Sequence, residues 1–297
     1  MIDRRAVLLG AGAAALAACD RAGTPAAPRP STPAPGPPAA ETTVDPLAWA
    51  VAGPWRGADR ARDRWRRPAE TLRFFGLQPG QTVVELWPGA GWYTRILAPY
   101  LARTEGVLYA AQLELAPDLD PAEAATVAAF RDALAENAGL YGAVRVTSFG
   151  PGPRPIAPAG TVDLVLFLRN LHNWMAAGLA EKAFADAFAA LKPGGRLGVE
   201  QHRAAPGGVQ DAAATTGYVQ EAYVRRLAEE AGFAFEEASE LNANPADDRD
   251  HPFGVWTLPP VRRSSARGEP ADPAFDAAAY EAIGESDRMT LRFRKPA

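Results

Sequence analysis

Hydrophobic and polar positions along this chain follow two alternating rhythms after residue 46. The runs "TVVELW" (82–87), "GVLYAAQL" (106–113), "YGAVRVTSF" (141–149) and "TVDLVLFLRN" (161–170) are short, with β-branched and aromatic residues, and predict strands. The fourth run is apolar almost without a break, as suits a parallel strand buried on both faces. Between them, "GWYTRILAPYLA" (91–102) and "PAEAATVAAFRDALAENAG" (121–139) space their apolar residues as helices do, and the second is expected to end on its glycine. "GLAEKAFADAFAALKPGG" (178–195) predicts a helix closed by Pro-Gly-Gly, "RLGVEQHR" (196–203) a fifth strand, "YVQEAYVRRLAEEAG" (218–232) a helix and "FAFEEASE" (233–240) a sixth strand. "RMTLRFRK" (288–295) reads as a last strand without a crossover helix, which predicts an antiparallel edge strand beside the sixth. Upstream, "RGADRARDRWRRPAETLRFFG" (56–76) predicts one or two helices, restarting at Pro68 and stopping at Gly76. The alternation gives an α/β sandwich, with helices on both faces of a mostly parallel seven-stranded sheet and an antiparallel final strand.

The first residues follow neither rhythm. "MIDRR" is a short basic segment, "AVLLGAGAAALAA" is apolar and built of small residues, and the single cysteine follows at Cys19. Leu16-Ala17-Ala18-Cys19 resembles a bacterial lipobox, and Arg4-Arg5 resembles a twin-arginine export signal. The plainer alternative is a Sec signal peptide with a chance cysteine. Residues 20–45 are rich in Pro and Ala and offer almost nothing to bury, so they predict an extended tether rather than a fold. Three segments are therefore expected: a signal peptide with lipobox (1–19), a linker (20–45) and one domain (46–297). The implied location is the cell envelope of a bacterium, lipid-anchored through Cys19, at the periplasmic face of the inner membrane.

Composition removes several classes of function. A formal net charge of -4 over 297 residues argues against a nucleic-acid binder that works through bulk charge. No CxxC, no G-x-S-x-G and no set of three histidines or acids at metal-ligand spacing occurs, so neither a metal site nor a serine hydrolase is expected. The arginines of 56–67 alternate with Asp59 and Asp63. A solvated helix face is the expected reading, and attraction to anionic headgroups the alternative. Trp92 and Tyr93 open a helix and are expected to pack into the core.

The chemistry concentrates in "ELWPGAGWYT" (85–94), where a strand ends in an acid and turns through glycines into a helix. Such a turn lets backbone N–H groups approach a ligand. Its spacing, with Glu85, Gly89 and Gly91, resembles the first motif of class I S-adenosylmethionine (SAM)-dependent methyltransferases, with Trp87 in place of the first glycine. "VDLVLFLRNLHNW", "ALKPGGRLGV" and "YVQEAYVRRLAEEAGF" follow in that family's order, and the resemblance runs from about Pro68 to the C-terminus. "FLRNLHNWM", "HPFGVWTLPP" and "GESDRMTL" further resemble a bacterial group of predicted methyltransferases of unknown substrate, in which a Trp-Pro turn is normal.

The resemblance implies a Rossmann-like methyltransferase sandwich with SAM as cofactor. Glu85 would receive the SAM amino group, and Trp87, Gly89 and Gly91 would form the loop beside the methionyl part. Gln112 would stand where an acid usually holds the ribose, with Glu114 on the same side of the strand as a substitute. After strand four, His172, Asn170 and Asn173 are the candidates for orienting the acceptor, and His172 is either a general base or a packing partner of Trp174. His202 has a similar place after strand five. His251, Phe253 and Trp256 lie on a long loop that is either a lid over the substrate or a surface insertion. Three functions remain open: methyl transfer to a small or lipid-like acceptor, a binding or accessory lipoprotein that has lost catalysis, and another nucleotide-using α/β enzyme such as a reductase.

Overall fold

Both rhythms are realised in the computed structural model, which describes residues 44–116 and 119–297. The lipobox, Cys19 and all but the last residues of the linker lie outside the described residues. The strands are β1 (Thr82–Leu86), β2 (Val107–Leu113), β3 (Arg145–Phe149), β4 (Val162–Leu168), β5 (Leu191–His202), β6 (Ala234–Ser239) and β7 (Arg288–Arg294). The helices are α1 (Pro46–Ala52), α2 (Asp63–Arg66), α3 (Pro68–Phe74), α4 (Thr94–Arg103), α5 (Pro121–Glu136), α6 (Ala138–Tyr141), α7 (Leu171–Ala176), α8 (Ala180–Ala190), α9 (Glu221–Glu230) and α10 (Ala278–Ile283).

One seven-stranded sheet has the order β3-β2-β1-β4-β5-β7-β6. All neighbours from β3 to β5 pair in parallel, and β7 runs antiparallel to both β5 and β6. The antiparallel final strand is as expected, but its edge position is corrected: β7 lies inside the sheet and β6 takes the edge. The side chains explain the exchange. Met289, Thr290, Leu291 and Phe293 of β7 are all buried, so the strand needs cover on both faces, whereas β6 carries Glu236 and Glu237 and tolerates water.

Each face of the sheet carries its own core. Val84, Leu86, Val165, Phe167, Val199 and Leu291 pack to one side against Trp174 and Phe184. Val83, Leu164, Leu166 and Leu168 pack to the other against Leu72, Phe75, Ile96 and Leu97. Strand β4 feeds both layers, which is why its sequence alternates nowhere. Burying a Leu or Phe side chain contributes about 1.5–3 kcal/mol, so the two layers dominate the fold's stability.

Three local expectations are corrected. Helix α5 stops at Glu136, and Gly139 falls within α6, which closes at Gly142 with φ 63°. Helix α8 ends at Ala190, and Lys192–Gly195 belong to the extended start of β5 rather than to a helix cap. The arginine-rich stretch is not a solvated face throughout. Arg56 and Arg66 are buried, pair with Asp63 and Glu285, and both lie over the Trp92 ring. A buried guanidinium needs such partners, and Glu285 arrives from the far end of the chain, a distance no local pattern reveals. Among the described residues no helix is long and apolar enough to cross a membrane.

Candidate active site

At the carboxyl end of β1 the chain leaves the sheet through Trp87, whose φ is 50°. A residue with a Cβ in this left-handed region costs roughly 1–2 kcal/mol, which is the physical reason for a glycine at such a place. Here three hydrogen bonds fix the tryptophan instead. Its backbone N–H donates to Ala111 O (2.9 Å), its indole Nε1 donates to Phe149 O (2.9 Å), and its carbonyl accepts from Asn170 Nδ2 (2.7 Å). The ring packs edge-on against Phe149 and Trp174, with centroids 6.1 and 6.0 Å away. Gly89 and Gly91 follow at φ 57° and 83°, and a Cβ on Gly89 would meet nothing within 4 Å, so the space over the loop is open.

Two cavities border this loop. The larger, about 550 Å³, is lined by Trp87, Gly89, Gln112, Glu114, Asn170 and Asn173, with Leu119, Val127 and Leu179 as its apolar wall. The smaller, about 160 Å³, is lined by Glu85, Gly89, Trp92, Tyr93, Arg169 and Asn170. Both sit at the carboxyl ends of β1 and β4, and the larger reaches that of β2 as well, where ligands of open α/β sheets bind.

The polar groups of the larger cavity also hold the loop together. Gln112 is buried, and its Nε2 donates to Gly89 O (2.9 Å) while its Oε1 accepts from Leu113 N (2.9 Å). Glu114 accepts from Gly152 N (3.0 Å) through Oε2. A Cβ on Gly150 or Gly152 would fall within 2.7 Å of the Glu114 side chain, so the "GPG" turn after β3 is shaped around that carboxylate. Asn170 bridges Trp87 O to the end of β4 and accepts from Asn173 Nδ2 (3.3 Å).

In the smaller cavity Glu85 is 3% exposed and accepts from Thr94 Oγ1 (2.6 Å) through Oε2. Burial pushes its carboxyl up to about 7, against the pull of Thr94 and of the Arg169 charge. Arg169, at φ 61°, donates through Nη1 to Glu200 Oε2 (2.9 Å). Burial works against the Arg169 charge, yet Glu200 outweighs it and holds the guanidinium above its ordinary value. Tyr93 lies under that guanidinium and donates to the same Glu200 oxygen (3.1 Å), and burial followed by the Glu200 charge raises its hydroxyl well above the usual value. Sequence reasoning passed over Arg169. Its signal was a charge closing the apolar run Leu164–Leu168.

The histidines stand apart from both cavities. His172 is buried on α7, where Gln201 Nε2 meets its Nδ1 at 3.2 Å and its ring lies 5.3 Å from His202 and 5.7 Å from Trp256. Burial pushes its pKa down to about 4. His202 contacts Ser286 Oγ, and burial followed by the nearness of His172 lowers it well below the usual range. His251 pairs with Asp247 (2.8 Å), Phe253 packs on Phe275, and Trp256 lies under the Arg263 guanidinium. None of His172, His202, His251, Phe253 or Trp256 lines the two cavities. The long loop reaches the larger one through Arg267 instead. The fold also brings Asp247, Asp248 and His251 together, a group of possible metal ligands that sequence spacing did not flag. Asp247 is already committed there, accepting from the Tyr218 hydroxyl and from the backbone N–H groups of Arg249 and Asp287.

A parallel sheet with an antiparallel β7 inserted before β6, carrying its cavities at the switch between β1 and β4, is the Rossmann-like sandwich of class I methyltransferases. Among solved structures, the chain is similar to the cyclase SpnF, with a TM-score of 0.52 at 14% identity over 84% of this chain and 94% of that one. It also matches a SAM-dependent methyltransferase from Aquifex aeolicus, with a TM-score of 0.45 at 20% identity over 67% of this chain and 93% of that one. A third match is 1,6-didemethyltoxoflavin-N1-methyltransferase from Burkholderia thailandensis, with a TM-score of 0.45 at 14% identity over 89% of this chain and 94% of that one. No protein-family model and no curated protein matches the chain.

Proposed function

We propose that this chain binds SAM across the Trp87–Gly91 loop and transfers its methyl group to a small or lipid-like acceptor. The observation that carries the reading is the pair of cavities on either side of one glycine loop. One, at about 550 Å³, has the size of a ligand pocket, and the other holds a buried carboxylate. The residues present suit the cofactor. Glu85 offers an unshared oxygen to an ammonium group, the open backbone at Gly89 allows close approach, and Glu114 retains one oxygen for a ribose hydroxyl. SAM supplies an electrophilic methyl group, so the protein's task is to orient an acceptor and exclude water. Asn170 and Asn173 are the side chains that could orient one, and the apolar wall of Leu119, Val127 and Leu179 favours an acceptor with an apolar body.

One observation favours a second reading, a binding protein that has lost catalysis. No histidine lines either cavity, and His172, at about 4, is a poor base near neutral pH. The fold alone does not decide, since one of the solved structures that share it is that of a cyclase. We also propose that the protein is exported and anchored through a lipidated Cys19 to the periplasmic face of the inner membrane, on the strength of the lipobox-like segment.

Calorimetry of the full chain with S-adenosylhomocysteine tests the cofactor. Binding in the micromolar range is expected, and no heat at millimolar ligand would refute it, while tight NADH binding would move the reading to a reductase. Binding without turnover on any acceptor would select the accessory role. Replacing Cys19 by Ser should release the protein from membranes, and continued attachment would refute the anchor.

A further inference from the structure

The smaller cavity is lined by an acid and a guanidinium that make no direct bond to each other. Glu85 uses only Oε2, towards Thr94, and makes no ion pair among the described residues. Arg169 uses only Nη1, towards Glu200, so its Nε and Nη2 donors have no partner among the described residues. Both side chains line the same chamber of about 160 Å³, with Trp92 and Tyr93 as aromatic walls. A space of that size takes a handful of water-sized groups and is too small for a nucleoside. An unshared carboxylate oxygen and unshared guanidinium donors in one chamber match a group that carries a cation and an anion together.

The geometry points to Arg169 as the residue that receives the carboxylate of a ligand's α-amino-acid end, opposite Glu85. This rests on the SAM reading and adds to it a residue that sets specificity for the zwitterion. The backbone supports the assignment. Arg169 stands at φ 61° at the end of β4, and its amide N–H donates to Glu200 O (2.7 Å). A second bond, from Nη1 to Glu200 Oε2, holds the guanidinium over the Tyr93 ring. A long flexible side chain is thus fixed before any ligand arrives, and its remaining donors are left for a bidentate anion. Arg288, within 3.2 Å of Glu200 Oε1, shares that carboxylate, so Glu200 does not consume the whole Arg169 charge.

The test compares three thioether ligands on the full chain by calorimetry: S-adenosylhomocysteine, its decarboxylated analogue, which keeps the amine, and 5′-methylthioadenosine, which has neither charge. The wild type should prefer S-adenosylhomocysteine to its decarboxylated analogue by at least tenfold. Arg169→Gln should erase that preference by weakening S-adenosylhomocysteine at least tenfold more than its decarboxylated analogue, with methylthioadenosine unchanged within twofold. Arg169→Lys should restore part of it. If Arg169→Gln fails to fold, the wild-type preference and the Arg169→Lys variant still decide. Equal affinity of the wild type for the first two ligands, or equal loss of both in the variant, would overturn the assignment and leave SAM binding standing. Failure of all three ligands to bind would remove the SAM reading and this one with it.

Discussion

The carboxyl edge of the sheet has two halves, and they treat polar side chains in opposite ways. Beside β1, β2 and β4, Glu85, Glu114 and Arg169 each keep unused hydrogen-bonding capacity next to a cavity. Beside β5 and β7, Asp247, His251, Tyr218 and Asp287 bond one another in a buried network, and His172 and His202 sit under Gln201, Trp256 and Ser286. By residue type, the second half looks the more catalytic. By bonding, its Asp247 network is filled, and the first half is where cavities bring unused groups within reach of a ligand. Residue chemistry becomes a site only where bonds remain to be made.

The largest effect should come from disturbing the Asp247 network. Asp247→Ala would leave the Tyr218 hydroxyl, two backbone N–H groups and His251 without their acceptor, at a cost of roughly 3–5 kcal/mol. Denaturant unfolding should show that loss, while S-adenosylhomocysteine affinity of the folded fraction stays within twofold. A stable variant with impaired binding would reverse the assignment of the two halves.

In the ligand-ready half the order of effects inverts. Glu85→Ala removes a buried carboxylate with a single side-chain hydrogen-bond donor, Thr94, and should cost little stability. It should weaken S-adenosylhomocysteine at least a hundredfold, or about 2.7 kcal/mol, by calorimetry. Retained affinity would mean that the acid supports the fold and not the cofactor.

Acidity gives a smaller and graded test of the same group. Since Glu85 is pushed up to about 7, its ionised form, which a ligand ammonium requires, grows from a minor fraction at pH 6 to the major one at pH 8. Cofactor affinity should rise about tenfold across that interval, with each unit of pKa equivalent to about 1.4 kcal/mol. Folding stability should move the other way. With a folded value above the ordinary 4.5, the Glu85 contribution is present in full below 4.5 and is lost as pH rises towards 7, because the unfolded chain ionises first. Glu85→Gln should flatten both profiles, and unaltered slopes in that variant would assign the titration elsewhere.

Much of the fold was legible in the sequence because the apolar rhythm of β1 to β6 is local. The place of β7 was not, since insertion between β5 and β6 depends on pairing with Leu191–His202, far back in the chain. In the site, Glu85, Gly89 and Gly91 were legible because a glycine turn leaves a spacing. Gln112 was found at its position, but its bonds to Gly89 and Leu113, which make it a strut of the loop, depend on how two strands meet. Arg56 and Arg66 read as surface charges because their partners, Asp63 and above all Glu285, make sense only after folding. The histidines lie away from both cavities for a related reason: position after a strand is legible, but the direction of a side chain relative to a cavity is not written in spacing.

His172 offers the finest test of the contrast between the halves, and the smallest expected effect. Because it lines neither cavity, His172→Ala should change S-adenosylhomocysteine affinity by less than twofold, and any methyl transfer by less than about threefold, where loss of a general base costs a factor of about 10²–10⁴. Its signature should appear in stability instead. The folded value, about 4, lies below the ordinary 6.5, so between those limits the unfolded chain takes up a proton that the buried ring refuses. Wild-type stability is therefore eroded by this group as pH falls from 6.5 to 4, and the variant should lack that part of the slope. The gap in unfolding midpoint between variant and wild type should thus narrow from pH 7 to pH 5. A constant gap together with a hundredfold slower transfer would instead make His172 a base that reaches the ligand through a rearrangement, and would join the two halves into one site.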